Sequence, residues 1–179
     1  MTKTLNPNQL SAVNQLLDRV SQRQREDFGQ ISSDLKLDGT LITDCDRWSD
    51  KALVDGLSTI AEGEGVLSEE GSQTVPSSDA YWVVDPLDGT TNFAAGIPYW
   101  AISVARFVEG KPETAFLDVP ALNQRLFAIR GKGVWVNGER LSIASRNSSN
   151  SACISLCSRA VRILQRKPNQ PFPGKMRLL

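Results

Sequence analysis

Not one of the 179 residues is histidine. The commonest general base near neutral pH and the imidazole metal ligand are both excluded, so any hydrolysis by this chain has to use metal-bound water. Cysteine is scarce and odd in number, at Cys45, Cys153 and Cys157. The last two stand four apart with no second pair, which is neither a disulfide framework nor a zinc signature, and thiols in a reducing cytosol are the expectation. No stretch approaches the about 18 apolar residues of a membrane span. The start, MTKTLNPNQL, has no apolar core for a signal peptide. A soluble, cytoplasmic chain without a membrane partner is expected. Repeats are absent, and the Ser/Asn-rich Asn147 to Ser151 is the only biased tract. At 179 residues and 40% hydrophobic the chain is sized for one core, and nothing marks a linker between two domains.

Charge is balanced overall but unevenly placed. No acid follows Glu139, whereas eight bases do. This basic end lacks an aromatic series or a nucleic-acid motif, so no nucleic-acid partner is expected, and a polar surface that meets the acidic half or a missing segment is the better reading. Residues 34 to 88 are the reverse, with thirteen acids against Lys36, Arg47 and Lys51, a local charge of −10. Carboxylates gathered in one cleft repel each other and call for cations. Oxygen ligands alone favour Mg²⁺, Mn²⁺ or Ca²⁺ over zinc.

Within that stretch the run from Tyr81 to Phe93, YWVVDPLDGTTNF, carries the most chemistry. Tyr81 to Val84 reads as a strand that delivers Asp85 to its carboxyl end, where Pro86 stops the ladder and turns the chain. Asp85, the Leu87 carbonyl and Asp88 are then placed to converge on one hard cation. Gly89 admits a ligand close to the backbone, and the N–H groups of Gly89 and Thr90 face outward at a helix start, where an anion such as phosphate binds. Asp-Pro and Asp-Gly are also ordinary turn dipeptides. Two further acidic strand ends weigh against that plainer reading: Glu69 and Glu70 after Gly65-Val66-Leu67, and Asp44 and Asp46 after Leu41-Ile42-Thr43.

Apolar periodicity predicts helices from about Asn8 to Gln30, its second half polar and exposed, and from Ser49 to about Glu62, weakened slightly by Gly56. Strands are expected near Trp100 to Val108, Glu113 to Val119, Arg125 to Arg130 and Val134 to Val136. The Asn137-Gly138 turn leads into Leu141 to Ala144. Ala152 to Cys157 reads as another strand with a short helix to about Lys167. Helices first and a meandering sheet after them indicate an α+β fold, two N-terminal helices followed by a largely antiparallel sheet. Trp48, Trp82, Trp100 and Trp135 are assigned to packing.

The segments LITDCD, SEEG and DPLDGTTNF, with the strand-rich GIPYWAISVARFVEGKPETAFLDVPALNQRLFAIRGKGVWVNGERL, resemble the Mg²⁺-dependent, lithium-sensitive inositol monophosphatase family of sugar and nucleotide phosphatases. The resemblance covers nearly the whole chain. It implies the N-terminal part of a layered α-β-α-β-α sandwich, with residues 1–179 as a single incomplete domain. Carried over by position, Glu69, Asp85 and the Leu87 carbonyl hold a first Mg²⁺, and Asp85 and Asp88 share a second. Asp46 and Thr90 orient the attacking water, while Asp88, Gly89 and Thr90 contact the substrate phosphate. Leu87 replaces a usual isoleucine, and Ser68 stands where glycine is common. Glu70 and Asp44 are expected to support the site or face solvent. Family members continue into a second half, with a Trp-Asp-x-Ala-Ala-type motif that completes the second metal site and contacts the substrate alcohol. The implied protein hydrolyses a small phosphorylated alcohol such as inositol monophosphate, and is a homodimer when full length. Histidinol phosphate, fructose bisphosphate and 3′-phosphonucleotides remain alternative substrates, and a non-catalytic, metal- or partner-binding protein remains an alternative role.

Overall fold

A computed structural model describes residues 4–30, 32–36, 40–71 and 74–142. The expected strand and helix between Ala152 and Lys167 lie outside these residues.

The first helix, α1 (Pro7–Asp27), starts on a capping box in which the Asn6 side chain and Gln9 satisfy each other's free backbone N–H groups, with Pro7 supplying a preset φ in the first turn. A two-stranded antiparallel pair, β1 (Ser33–Leu35) and β2 (Leu41–Thr43), leads into α2 (Asp44–Ile60). Helix α2 begins five residues before the sequence expectation of Ser49. Thr43 and Asp46 form a second capping box there, so the acids after Thr43 occupy the first helical turn rather than a loop.

A seven-stranded sheet follows, in the order β3 (Gly65–Ser68), β4 (Ala80–Asp88), β5 (Ala101–Val108), β6 (Lys111–Val119), β7 (Gln124–Ile129), β8 (Gly133–Val136) and β9 (Glu139–Arg140). Only β3 and β4 are parallel, and the other pairings are antiparallel. The short helix α3 (Thr90–Ala94) lies between β4 and β5. Pro86 does not stop β4. The strand runs to Asp88 with a register shift between Asp85 and Asp88, because a proline without an N–H is tolerated at a bulge.

Alternation along the strands puts Trp82, Val84, Ile102, Val104 and Phe116 on one sheet face, where they pack with Val13, Leu16, Leu17 and Val20 of α1 and Leu53 and Leu57 of α2. Gly56 is the close-approach point of the helices. A Cβ there would stand 2.6 Å from the Leu16 Cδ2. A second buried cluster, Cys45, Leu87, Phe93 and Trp100, sits with Phe28 beneath the turn after β4. The Phe28 and Trp100 rings stack at 4.6 Å between centroids, and Phe93 meets Trp100 edge-on at 5.0 Å. Burial among apolar groups pushes the Cys45 thiol up to about 12, so it stays protonated. Among the described residues, no helix is long and apolar enough to cross a membrane.

Candidate functional site

The parallel register of β3 and β4 places Ser68 opposite Val84, and the Glu69 N–H donates to the Val84 carbonyl at 3.1 Å. The residues that follow, Glu69 just past the end of β3 and Asp85 at the bulge of β4, therefore lie side by side. They lie within hydrogen-bonding reach of each other, with Asp88 close enough to act on Asp85 electrostatically. Burial, first of all, and then the negative charges of Glu69 and Asp88 push the Asp85 carboxyl up to about 7. Asp85 Oδ1 also accepts the Leu87 N–H at 3.2 Å.

The capping box of α2 fixes Asp46, which is 1% exposed. Its Oδ2 accepts the Thr43 backbone N–H at 2.8 Å and the Thr43 hydroxyl. Its Oδ1 accepts the Thr90 hydroxyl at 2.8 Å, and the same hydroxyl oxygen lies 3.2 Å from the Leu87 carbonyl. A hydroxyl has one proton, and the shorter contact assigns it to Asp46. The Asp46 carboxylate thus both caps a helix and orients Thr90, tying together α2, β4 and α3.

Gly89 has φ of +105°, and a Cβ there would stand 3.1 Å from the Tyr99 carbonyl oxygen and 3.3 Å from the Trp100 Cα. Only glycine fits, for both reasons. Glu70 pairs with Lys36 at 2.5 Å. Asp44 is exposed and paired with Arg47 at 2.9 Å. The Ser68 hydroxyl donates to Asp50 of α2, which gives the serine in this strand a polar partner.

The carboxylates of Glu69, Asp85 and Asp88 and the Leu87 carbonyl are hard oxygen donors, and the excess negative charge that raises Asp85 is what a divalent cation would relieve. These residues fit Mg²⁺ in donor type and in charge. Among the described residues, no group of three or more His, Cys, Asp or Glu side chains is placed to hold a metal ion as the side chains stand. Glu69 and Asp88 are the exposed members of the set, and Asp85 is half-buried.

Two residues that pattern reading passed over complete the site. Gln24, in the half of α1 expected to be exposed, is 0% exposed and donates to the Pro86 carbonyl at 2.8 Å. Trp100 donates its indole N–H to Gln24 Oε1 at 3.0 Å. The available signal was a helical one: Gln24 follows Val13, Leu17 and Val20 on the buried face of α1.

The chain is 35% identical over 150 residues to a histidinol-phosphatase of Mycobacterium tuberculosis, covering 80% of this chain and 58% of that protein. It is 33% identical over 141 residues to a fructose-1,6-bisphosphatase/inositol-1-monophosphatase of Thermotoga maritima, covering 78% and 54%. It therefore spans a little over half the length of these relatives. A solved Thermotoga maritima IMPase superposes with a TM-score of 0.76 at 29% identity, covering 89% of this chain and 64% of that one. That likeness matches the two helices and mostly antiparallel sheet described above. Because residues 1–173 match the inositol monophosphatase family as a whole, and not only at DPLDGTTNF, the chain belongs to the inositol monophosphatase family.

Proposed function

We propose that this chain carries the metal and phosphate half of a Mg²⁺-dependent phosphomonoesterase that hydrolyses a small phosphorylated alcohol, with inositol monophosphate as the first candidate substrate. The carrying observation is Asp85 at about 7, crowded by Glu69 and Asp88 beside the Asp46–Thr90 pair. Glu69, Asp85, Asp88 and the Leu87 carbonyl would hold the metal. Bound there, Mg²⁺ supplies Lewis acidity and offsets phosphate charge.

The chain's own residues do the orienting. Because Thr90 gives its proton to Asp46, its hydroxyl oxygen is left with lone pairs only. It can then accept a hydrogen bond from the water that attacks phosphorus and hold that water in line. Asp46 is itself fixed by the Thr43 backbone N–H. The N–H groups of Gly89 and Thr90, at the start of α3, are assigned to the phosphate oxygens.

Histidinol phosphate and fructose bisphosphate remain candidate substrates, as the names of the two sequence relatives suggest. A homodimer is the proposed assembly of a protein of the relatives' length. The test is release of inorganic phosphate from these three substrates with and without Mg²⁺. Residues 1–179 alone are expected to release little, and a protein holding this chain at its relatives' length is expected to turn over in a Mg²⁺-dependent, lithium-sensitive way. Mg²⁺-independent turnover by that longer protein would overturn the assignment.

A further inference from the structure

Gln24 is completely enclosed, and a buried amide is tolerated only when its donors and acceptor are met. All are. Its Nε2 donates to the Pro86 carbonyl at 2.8 Å and to the Ser49 Oγ at 3.1 Å, and its Oε1 accepts the Trp100 indole N–H at 3.0 Å. An indole N–H can only donate and a backbone carbonyl can only accept, so this amide has one possible orientation.

The Pro86 carbonyl and the Leu87 N–H are opposite edges of one rigid peptide plane. Gln24 holds the first edge, and the second donates to Asp85 Oδ1 at 3.2 Å. The plane is thus pinned from the core on one side and steers the Asp85 carboxylate on the other. If it were free to rotate, the Leu87 N–H would leave Asp85 and the Leu87 carbonyl would lose its direction. We infer that Gln24 is a positioning residue for the cation site, acting through the Pro86–Leu87 peptide on Asp85 and on the Leu87 carbonyl. The inference rests on the reading of Asp85 as a metal ligand. An apolar side chain of similar volume would leave the Pro86 carbonyl and the Trp100 indole N–H without this partner, so packing alone does not account for glutamine.

The experiment measures the affinity of the 179-residue chain for Mn²⁺ alone, which takes the same oxygen ligands as Mg²⁺, at a temperature where every variant is folded. Gln24→Met keeps the volume and removes the bonds. Its Mn²⁺ affinity should fall about tenfold, as for other groups that orient metal ligands. Without metal, its Leu87 amide should exchange with solvent faster. Ser49→Ala removes the other acceptor of the same amide while sparing the Pro86 bond. It should lose stability and keep its Mn²⁺ affinity, which separates positioning from a structural role. Gln24→Asn retains an amide one methylene too short to reach both Pro86 and Trp100. It should follow Gln24→Met, and decides the matter if Gln24→Met does not fold. Wild-type Mn²⁺ affinity in the folded Gln24 variants would overturn the inference alone. An unsubstituted chain that binds no Mn²⁺ would overturn the metal reading and the inference with it.

Discussion

Strand β4 has an acidic group at each end, and the two ends are neutralised differently. Near the amino ends of β3 and β4, Arg106 is buried and forks onto Glu64, with Nε at 2.8 Å from Oε2 and Nη2 on Oε1, while Nη1 lies 3.4 Å from Glu113. The hydrogen bond to Glu64 leads in raising the arginine above its usual value. At the carboxyl ends, Glu69, Asp85 and Asp88 crowd together, and the nearby Lys36 is engaged by Glu70. One cluster closes on a guanidinium from its own chain. The other carries surplus negative charge that, together with burial as the leading cause, pushes the Asp85 carboxyl up to about 7. Acid-rich sequence alone is therefore a poor guide to a cation site; what separates the two ends is the counter-charge that the fold supplies.

Breaking the closed end should have the largest effect. Arg106→Met keeps the stem but leaves Glu64 and Glu113 facing each other with their cation gone, which costs about 3–5 kcal/mol for a buried pair. Urea denaturation should show that loss, and Mg²⁺ should not restore it. A loss recovered by Mg²⁺ would mean the two ends are interchangeable.

At the open end, Mg²⁺ at about a hundred times its Kd should stabilise the chain by about 2.7 kcal/mol, because it binds only the folded state. Asp85→Asn should remove that response and should not destabilise the metal-free chain, since it deletes a charge the fold already disfavours. An undiminished Mg²⁺ response in Asp85→Asn would show that the cation binds elsewhere.

How much of this was legible in the sequence depends on the distance over which each feature is decided. The helices and antiparallel strands follow local periodicity and turn chemistry, and they were readable to within a few residues at most ends. The start of α2 was missed because Thr43 and Asp46 satisfy the helix's free N–H groups, a capping signature that lay unread beside an acidic-cluster reading. Pro86 was read as a stop, yet the bulge lets the strand pass. The nearness of Glu69 to Asp85 depends on a parallel register between strands separated by a loop, which no local pattern encodes. Gln24 was hidden for a different reason. Its partners Ser49, Pro86 and Trp100 are 25, 62 and 76 residues away, so a polar residue read as surface is in fact buried.

The open end should also be the pH-sensitive one. Asp85 rises from 3.8 in the unfolded chain to about 7 in the folded one, so the native state holds its proton more tightly. Its contribution to stability is then greatest below 3.8, declines as pH climbs from 3.8 to about 7, and is constant above that. Asp118 is raised in the same direction by burial, so the contribution of Asp85 is the part of the slope that Asp85→Asn removes. Chemical denaturation of the metal-free chain across this range should show the decline, and saturating Mg²⁺ should flatten the Asp85 part of it. Equal slopes with and without Mg²⁺ would break the link between proton and cation at Asp85.

The smallest expected effect tests whether the open end is open because of burial or because of charge. Lys36 is partly exposed. Its burial favours the neutral amine, yet its value is raised overall because Glu70, then Glu69 and Asp46, favour the ammonium. The lysine therefore offsets some of the negative charge of Glu69, the neighbour of Asp85, though it is seated on Glu70. Lys36→Met should change stability by less than about 1 kcal/mol, as for other incompletely buried pairs. Its signature should lie in the coupling. With that offset gone, the decline in stability with rising pH should steepen, and the gain from Mg²⁺ should grow. Unaltered pH and Mg²⁺ responses in Lys36→Met would mean that the Lys36 charge does not reach Asp85. The contrast between the two ends of β4 would then rest on burial of Asp85 and its carboxylate neighbours alone.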